Sequence, residues 1–516
     1  MVRACGRNLP EKTAFIQGDR KATWAQMEQR AGKHAAMFNQ LGLERGDVSA
    51  ILSQERIEVY EHWFGCMLAG NVRVGINWRY SEREMIHLLN DCRPKLLLVD
   101  ANCIEKLPAL ADTLKEIGCQ LVGFGEGHGL DLDMETLFSG ITERPEPVHY
   151  DGDEVVLYTY TSGTTGLPKC VMLTEVGVRM AILNTTLAFG ISPDDIWYRP
   201  NQSSWVVLVG NSAGLASGVT MVIPDGVFST EGFLSDIEKH KVTVALLVPT
   251  SLGRMLEEAR GGAYDLSTIR LMIYGGGPVV PQLIRETMDT LQCDMLQTYG
   301  MTEATGGWIS FLTPEDHRIG QRDKPELLSS AGRVGLHFEV VIRDDDNNPL
   351  ETGEIGTVWL RGDCVMKGYL HMPEETAETL HSDGWMSTND VGYLDAEGYL
   401  FLKDRKKFLI ITGGVNVYAS AVEAVLAEHP AVKTVAVVGV PDRDWGEAIQ
   451  AVVIGEDGAA LDPEHMIEFC RTRLARMEVP KRIWFVDELA MTFTGKVNKP
   501  KIKEMLVEKI AAENAG

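Results

Sequence analysis

Short apolar runs alternate with helix-like stretches along the first 300 residues, and this rhythm restricts the fold more than any other feature of the chain. "DVSAIL" (47–52), "VRVGI" (72–76) and "KLLLVD" (95–100) have the length and composition of buried strands. Helical segments over 59–68 and 82–90 separate them. The pattern returns at "VTMVI" (219–223), "VTVALLV" (242–248), "IRLMIYGG" (269–276) and "CDMLQTYG" (293–300). Strands that alternate with helices predict parallel α/β layers. The first long helix carries its own signals. Thr23 and Gln26 form a capping box, Met27, Ala31, Ala35, Phe38 and Leu41 recur at helical spacing, and Gly42 stops the run.

The texture changes near residue 330. "FEVVIRDDDNNPLETGEIGTVWLRG" (338–362) predicts short antiparallel strands joined by Asp/Asn/Gly turns. A second change follows "LFLKDRKKFLIITGG" (400–414). Beyond it, strands over 432–442 and 448–455 and helices near 463–476 and 499–512 make up a segment long enough to be a domain. A chain of 516 residues is too long for one core, and two large units joined near residue 407 are expected.

Charge removes some functions. With 49 Lys+Arg against 73 Asp+Glu, the net charge is -24. A surface that acidic repels DNA and anionic membranes, so no nucleic acid partner is expected. The nine cysteines stand singly, with no CxxC pair and no zinc spacing, which implies reduced thiols rather than disulfides or a metal site. No apolar run has the length of a signal-peptide core or a spanning helix. No integral membrane association is expected, and a soluble, cytoplasmic protein is.

"YTSGTTGLPKCV" (160–171) is the most unusual loop. Its glycines can turn backbone N–H groups inward, its hydroxyls add donors and Lys169 adds a cation, which suits a polyphosphate. It is not a Walker A loop, because two residues separate its glycines instead of four and Cys170 follows the lysine. Alone, it fits a polar surface turn better. Its companions favour the phosphate. "QTYGMTEATGG" (297–307) offers Tyr299 to cover a purine and Glu303 to hold Mg²⁺. "STNDVGYLDAEGYL" (387–400) places Asp390 on a loop, where it can accept ribose hydroxyls. Arg405 lies beside the expected junction, and "TFTGKVNK" (492–499) carries Lys496.

In this order and spacing the motifs resemble the adenylate-forming superfamily: acyl-CoA synthetases, luciferase-like enzymes and nonribosomal adenylation domains. The resemblance runs from "KTAFIQGDRKATWAQM" to the Lys496 loop. It implies a large α/β domain over 1–407, built of layered subdomains with a β-barrel-like part over about 330–405, and a small mobile α+β domain over 408–516. It implies an AMP-forming ligase that turns a carboxylic acid and ATP into acyl-AMP and pyrophosphate, then passes the acyl group to coenzyme A. Thr161, Ser162, Gly163, Thr164, Thr165, Gly166 and Lys169 would grip the β- and γ-phosphates. Thr302 would contact the α-phosphate, and Glu303 would bind Mg²⁺. Gly275, Gly276 and Gly277 would pass along the adenine and acyl edge, and Tyr299 would flank the base. Asp390 and Arg405 would serve the ribose end, and Lys496 would bridge carboxylate and α-phosphate. Gly413 and Gly414 would line the pantetheine path, and Phe408 would be the hinge. Trp205, Met301 and Trp308 border the family's acyl pocket.

The sequence departs from that pattern in several places. Phe408 stands where the family has Asp or Lys, and Gly413-Gly414-Val415-Asn416 lacks the usual Glu. Ala490-Met491-Thr492 replaces a Pro-led motif, and Ser203 stands where a gate histidine is common. Two alternatives to a CoA ligase remain: an adenylating enzyme that loads a separate acyl carrier protein, and a non-catalytic nucleotide-binding regulator. Neither the acid nor the oligomeric state is readable.

Overall fold

The computed structural model describes residues 1–161, 167–200, 203–277, 279–306, 308–456, 458–491 and 497–515, with Lys407, Asn514 and Ala515 described by backbone alone. It divides into two compact units, residues 1–339 with 361–386, and residues 340–360 with 387–516.

Two mixed sheets form the first unit. One is centred on Val48–Ser53, with Val72–Asn77 and Leu96–Asp100 parallel on either side. Beyond Val72–Asn77 comes Val155–Thr161, which turns back antiparallel into Lys169–Thr174. The other sheet runs parallel from Thr13–Gln17 through Thr220–Val222, Ile196–Tyr198, Val244–Leu247 and Leu271–Gly275 to Asp294–Gly300. Antiparallel strands finish both of its edges. The parallel strands are buried along their length, as strands covered on both faces must be. The predicted capping box is present. Thr23 Oγ1 accepts from the Gln26 amide at 3.3 Å, and the Thr23 amide donates to Gln26 Oε1 at 2.8 Å. The helix Trp24–Gln40 follows, burying Met27, Ala31, Ala35 and Phe38.

The second unit contains a four-stranded sheet, in which Met386–Leu394 and Leu400–Arg405 run antiparallel, and a five-stranded one. In the latter, Val432–Asp442 and Gly446–Gly455 pair along their whole length. Their side chains alternate between two cores. Val437, Ala451 and Val453 pack with the helices Ala419–Ala427 and Pro463–Arg471, and Ala436, Val438 and Val452 pack with Ile502 and Leu506 of the helix Lys499–Ala515. The helix expected to reach 476 ends at Arg471, where Arg473 and Leu474 both donate to the Cys470 carbonyl. The four-stranded sheet groups with the residues after 407 rather than with the first unit. Ser420 binds it there, donating from its amide to Asp404 Oδ2 at 3.0 Å and from its hydroxyl to the Lys403 carbonyl.

Candidate active site

In the first unit the antiparallel strands Val155–Thr161 and Lys169–Thr174 flank the glycine-rich stretch, and Thr161 and Lys169 are their last register pair on that side. Ser162, Gly163, Thr164, Thr165 and Gly166 lie outside the described residues. Lys169 Nζ sits 5.5 Å from the centre of the Tyr369 ring. Tyr369 belongs to the two-residue strand Gly368–Tyr369, held antiparallel against Val171 and Met172. Its hydroxyl donates to Glu303 Oε1 at 3.1 Å. Glu303 lies on the 3-10 turn Thr302–Ala304, directly after the strand Asp294–Gly300. That turn is pinned at both ends. The Met366 amide donates to the Glu303 carbonyl at 2.8 Å, and Thr305, at φ 60°, donates its hydroxyl to the Cys364 carbonyl. One tyrosine therefore joins the lysine of the first motif to the carboxylate of the second.

The glycines beside the predicted adenine edge have separate causes. A Cβ on Gly275 would lie 2.3 Å from the Thr298 carbonyl oxygen of the neighbouring strand, so the sheet itself forbids a side chain. Gly276 needs its left-handed φ of 80°, and Gly277 is half-buried. The preceding Tyr274 is fixed through its hydroxyl, which donates to His317 Nε2 at 2.8 Å, while His317 Nδ1 donates to the Thr313 carbonyl at 2.8 Å. Burial pushes His317 down to about 4, which keeps the ring neutral and able to accept. Tyr299 is half-exposed opposite Ser310.

Of the predicted acyl-pocket residues, Trp308 stacks on Phe189 with ring centres 6.5 Å apart. Met301 precedes the Glu303 turn and is half-buried. Trp205 is half-buried beside the Tyr80 hydroxyl. Ser203, at the gate-histidine position, is buried. Its amide and hydroxyl donate to the two oxygens of Glu55, both at 2.7 Å. Sequence reasoning missed both Glu55 and Tyr369.

In the second unit Asp390 lies inside the strand Met386–Leu394, not on a loop as expected. Asn389 at φ 57° and a register shift at Val391/Gly392 break the alternation that would have marked a strand. Asp390 is directly paired with Arg405 of the adjacent strand, and Arg405 Nε donates to Asp390 Oδ1 at 2.9 Å. Phe408 ends the 3-10 turn Lys406–Phe408, with Lys499 Nζ 5.3 Å from its ring centre. Lys499 also pairs with the half-buried Glu423 at 2.8 Å, although desolvation pushes that carboxyl up. Gly413 and Gly414, at φ 57° and 79°, form the two-residue turn between Leu409–Thr412 and Val415–Tyr418. Two consecutive positive φ values are what such a hairpin requires, so the turn accounts for both glycines. Lys496 lies outside the described residues.

Among the described residues no group of three or more His, Cys, Asp or Glu is placed to hold a metal. A lone carboxylate such as Glu303 still suits Mg²⁺, a hard cation that takes few protein ligands and shares substrate phosphates. Its Oε1 accepts from the Tyr369 hydroxyl. No helix among the described residues is long and apolar enough to cross a membrane.

Residues 2–370 match the AMP-binding enzyme family, and residues 421–496 match the AMP-binding enzyme C-terminal domain. The chain is 33% identical over 509 residues to the fatty acid–[acyl-carrier-protein] ligase ScoC of Streptomyces coeruleorubidus, covering 96% of this chain and 93% of that protein. It is 31% identical over 507 residues to the indoleacetate–CoA ligase of Aromatoleum aromaticum, covering 98% and 97%. The fold matches that of ATP-bound MatB from Rhodopseudomonas palustris with a TM-score of 0.88, at 26% identity and 98% coverage of both chains. The chain belongs to the AMP-binding enzyme family, with its α/β architecture of large N-terminal and small C-terminal domains. Within that family its class is that of the acid–thiol ligases, AMP-forming.

Proposed function

We propose that this ligase activates a carboxylic acid with Mg-ATP and transfers the acyl group to coenzyme A. The carrying observation is the contact chain Lys169–Tyr369–Glu303, which places the cation of the phosphate turn beside the carboxylate of the metal turn. The first step brings an anion to a polyanion, so it needs fixed donors and cations around phosphorus. Amides and hydroxyls of 161–166, with Lys169, hold the β- and γ-phosphates, and Thr302 contacts the α-phosphate. Glu303 would hold Mg²⁺, which supplies charge neutralisation on the phosphates when bound. Tyr299 and Gly275–Gly277 receive adenine, Asp390 accepts from the ribose hydroxyls, and Arg405 assists at the ribose-phosphate end. Lys496 bridges the two reacting anions. A carboxylate oxygen bonds to the α-phosphorus as the bond to the β-phosphate oxygen breaks, releasing pyrophosphate. The thiol sulfur then bonds to the acyl carbon, AMP leaves, and the thiol proton passes to solvent. Gly413 and Gly414 border the thiol's path, and Phe408 is the position about which the following residues turn.

The likeness to ScoC favours a second acceptor, the thiol of an acyl carrier protein. Pyrophosphate release from Mg-ATP across a panel of carboxylic acids, with and without CoA, tests both readings. Acid-dependent release with a thioester formed from CoA is the expected result. Acid-dependent release without a thioester would move the assignment to the carrier protein. Lys496→Ala should lower acyl-AMP formation by about 100-fold or more while thioester formation from supplied acyl-AMP is largely kept.

A further inference from the structure

Arg73 and Arg199 are completely buried in the first unit, and none of their guanidinium nitrogens has a hydrogen-bond partner among the described residues. Such groups are rare, because a buried charge is normally paired. Both lie beside Glu55 and Tyr60, whose charges each of them feels. Glu55 does not hydrogen-bond either of them. Its oxygens accept instead from the Ser203 amide, the Ser203 hydroxyl and the Tyr60 hydroxyl, all at 2.7 Å. Burial pushes both arginines down to about 10, still cationic at neutral pH, and pushes Glu55 up. His62 and Cys66, also near Arg73, are kept neutral by burial. Two guanidiniums thus face at most one carboxylate. Arg199 rests 5.3 Å from the centre of the Trp197 ring, a contact that covers a face and leaves its N–H edge unsatisfied.

Two glycines connect this cluster with the predicted acyl pocket. A Cβ on Gly210 would lie 3.5 Å from Arg199 Nη2 and 3.7 Å from Trp308 Cζ2, so both side chains pack beside that glycine. Trp308 Nε1 is itself a buried donor without a partner among the described residues. A Cβ on Gly75 would lie 2.9 Å from Arg73 Nη1 and 2.5 Å from the Cα of Ser204, the residue before Trp205. We propose that Arg73 and Arg199 form the far end of the acid pocket and bind a second carboxylate, so that the substrate is a dicarboxylic acid. This rests on the acid-activating reading. One carboxylate attacks ATP, and the other supplies acceptor oxygens that the guanidiniums do not find among the described residues.

Pyrophosphate release by the full chain, compared between α,ω-dicarboxylic acids and monocarboxylic acids of equal length, tests this without a variant. A site built to hydrogen-bond a group rejects the analogue that lacks it, so diacids should exceed their monoacid partners by about 100-fold or more in kcat/KM. Arg199→Met and Arg73→Met should bring that ratio toward one, and Arg199→Lys should retain part of it. Equal or better use of monoacids by the wild type overturns the inference and leaves acid activation standing. Pyrophosphate release from neither series overturns both. Methionine variants that fold, are less stable and keep the diacid preference would assign the arginines a structural role and likewise overturn it.

Discussion

In the first unit, among the described residues, Lys169 and Glu303 are joined through Tyr369, so three stretches of chain must be in place before the contact exists. In the second unit Asp390 and Arg405 face each other as a register pair on adjacent strands, and the ladder places them before any side chain interacts. The first arrangement is a side-chain relay, which depends on tertiary packing at every joint. The second is set by backbone pairing, and its ion pair is half-open to solvent, so it adds little to stability. Disturbance should therefore spread through the relay and stay local in the ladder.

The largest effect is expected from acid. In the same unit as the relay, Tyr274, which precedes the glycines, is held by His317, pushed down to about 4 from an ordinary 6.5. The native ring resists protonation while the unfolded chain accepts a proton. Its stabilising contribution is present above about pH 6.5 and is lost as the pH falls toward 4. At about 1.4 kcal/mol per unit, that loss is roughly 3 kcal/mol. Urea unfolding of the wild type and His317→Gln across this range should show the wild type losing that much more. Parallel curves would break the contrast between the two regions.

Motif residues were legible in the sequence because their chemistry is local to short stretches, and the helix Trp24–Gln40 was legible because cap and period agree. Tyr369 was not. A two-residue strand has no period, and its partner Glu303 is 66 positions away in the chain. Asp390 was expected on a loop and its pairing with Arg405 was not foreseen, since a left-handed Asn389 and a bulge imitate a loop. The signal for the buried arginines was visible and passed over. Each interrupts an apolar stretch, at "VRVGI" and "IWYRP", where a cation needs a reason. Glu55 had no such signal, because only the fold brings Ser203 to it.

A smaller effect is expected in the ladder. Asp390→Asn keeps the shape and the register but removes the charged acceptor proposed for the ribose hydroxyls. A hydrogen bond to a charged group contributes about 1.5–3 kcal/mol, so KM for ATP should rise about 10- to 100-fold. Stability should change by less than about 1 kcal/mol, because the partner Arg405 remains half-exposed to water. A large loss of stability with unchanged KM would show that the pair serves the sheet rather than the nucleotide.

The smallest effect, Tyr369→Phe, probes the relay most directly. The ring stays, so the contact with Lys169 is retained, and only the hydroxyl that donates to Glu303 is lost. Glu303 then keeps its turn, because the Met366 amide and the Thr305 hydroxyl still pin the backbone. What changes is the orientation of one carboxylate, a loss of about 1 kcal/mol that should read as a roughly fivefold rise in the Mg²⁺ concentration needed for half-maximal rate. The rate at saturating Mg²⁺ should be nearly preserved. Tyr369→Ala removes the ring as well and should lower that rate too, since Lys169 loses its support. If Tyr369→Phe behaves like the wild type, the hydroxyl carries nothing and the two motifs act independently. If Phe alone shifts the Mg²⁺ requirement while KM for ATP in Asp390→Asn moves without Mg²⁺, the relay and the ladder are separate devices, one for the metal and one for the nucleoside.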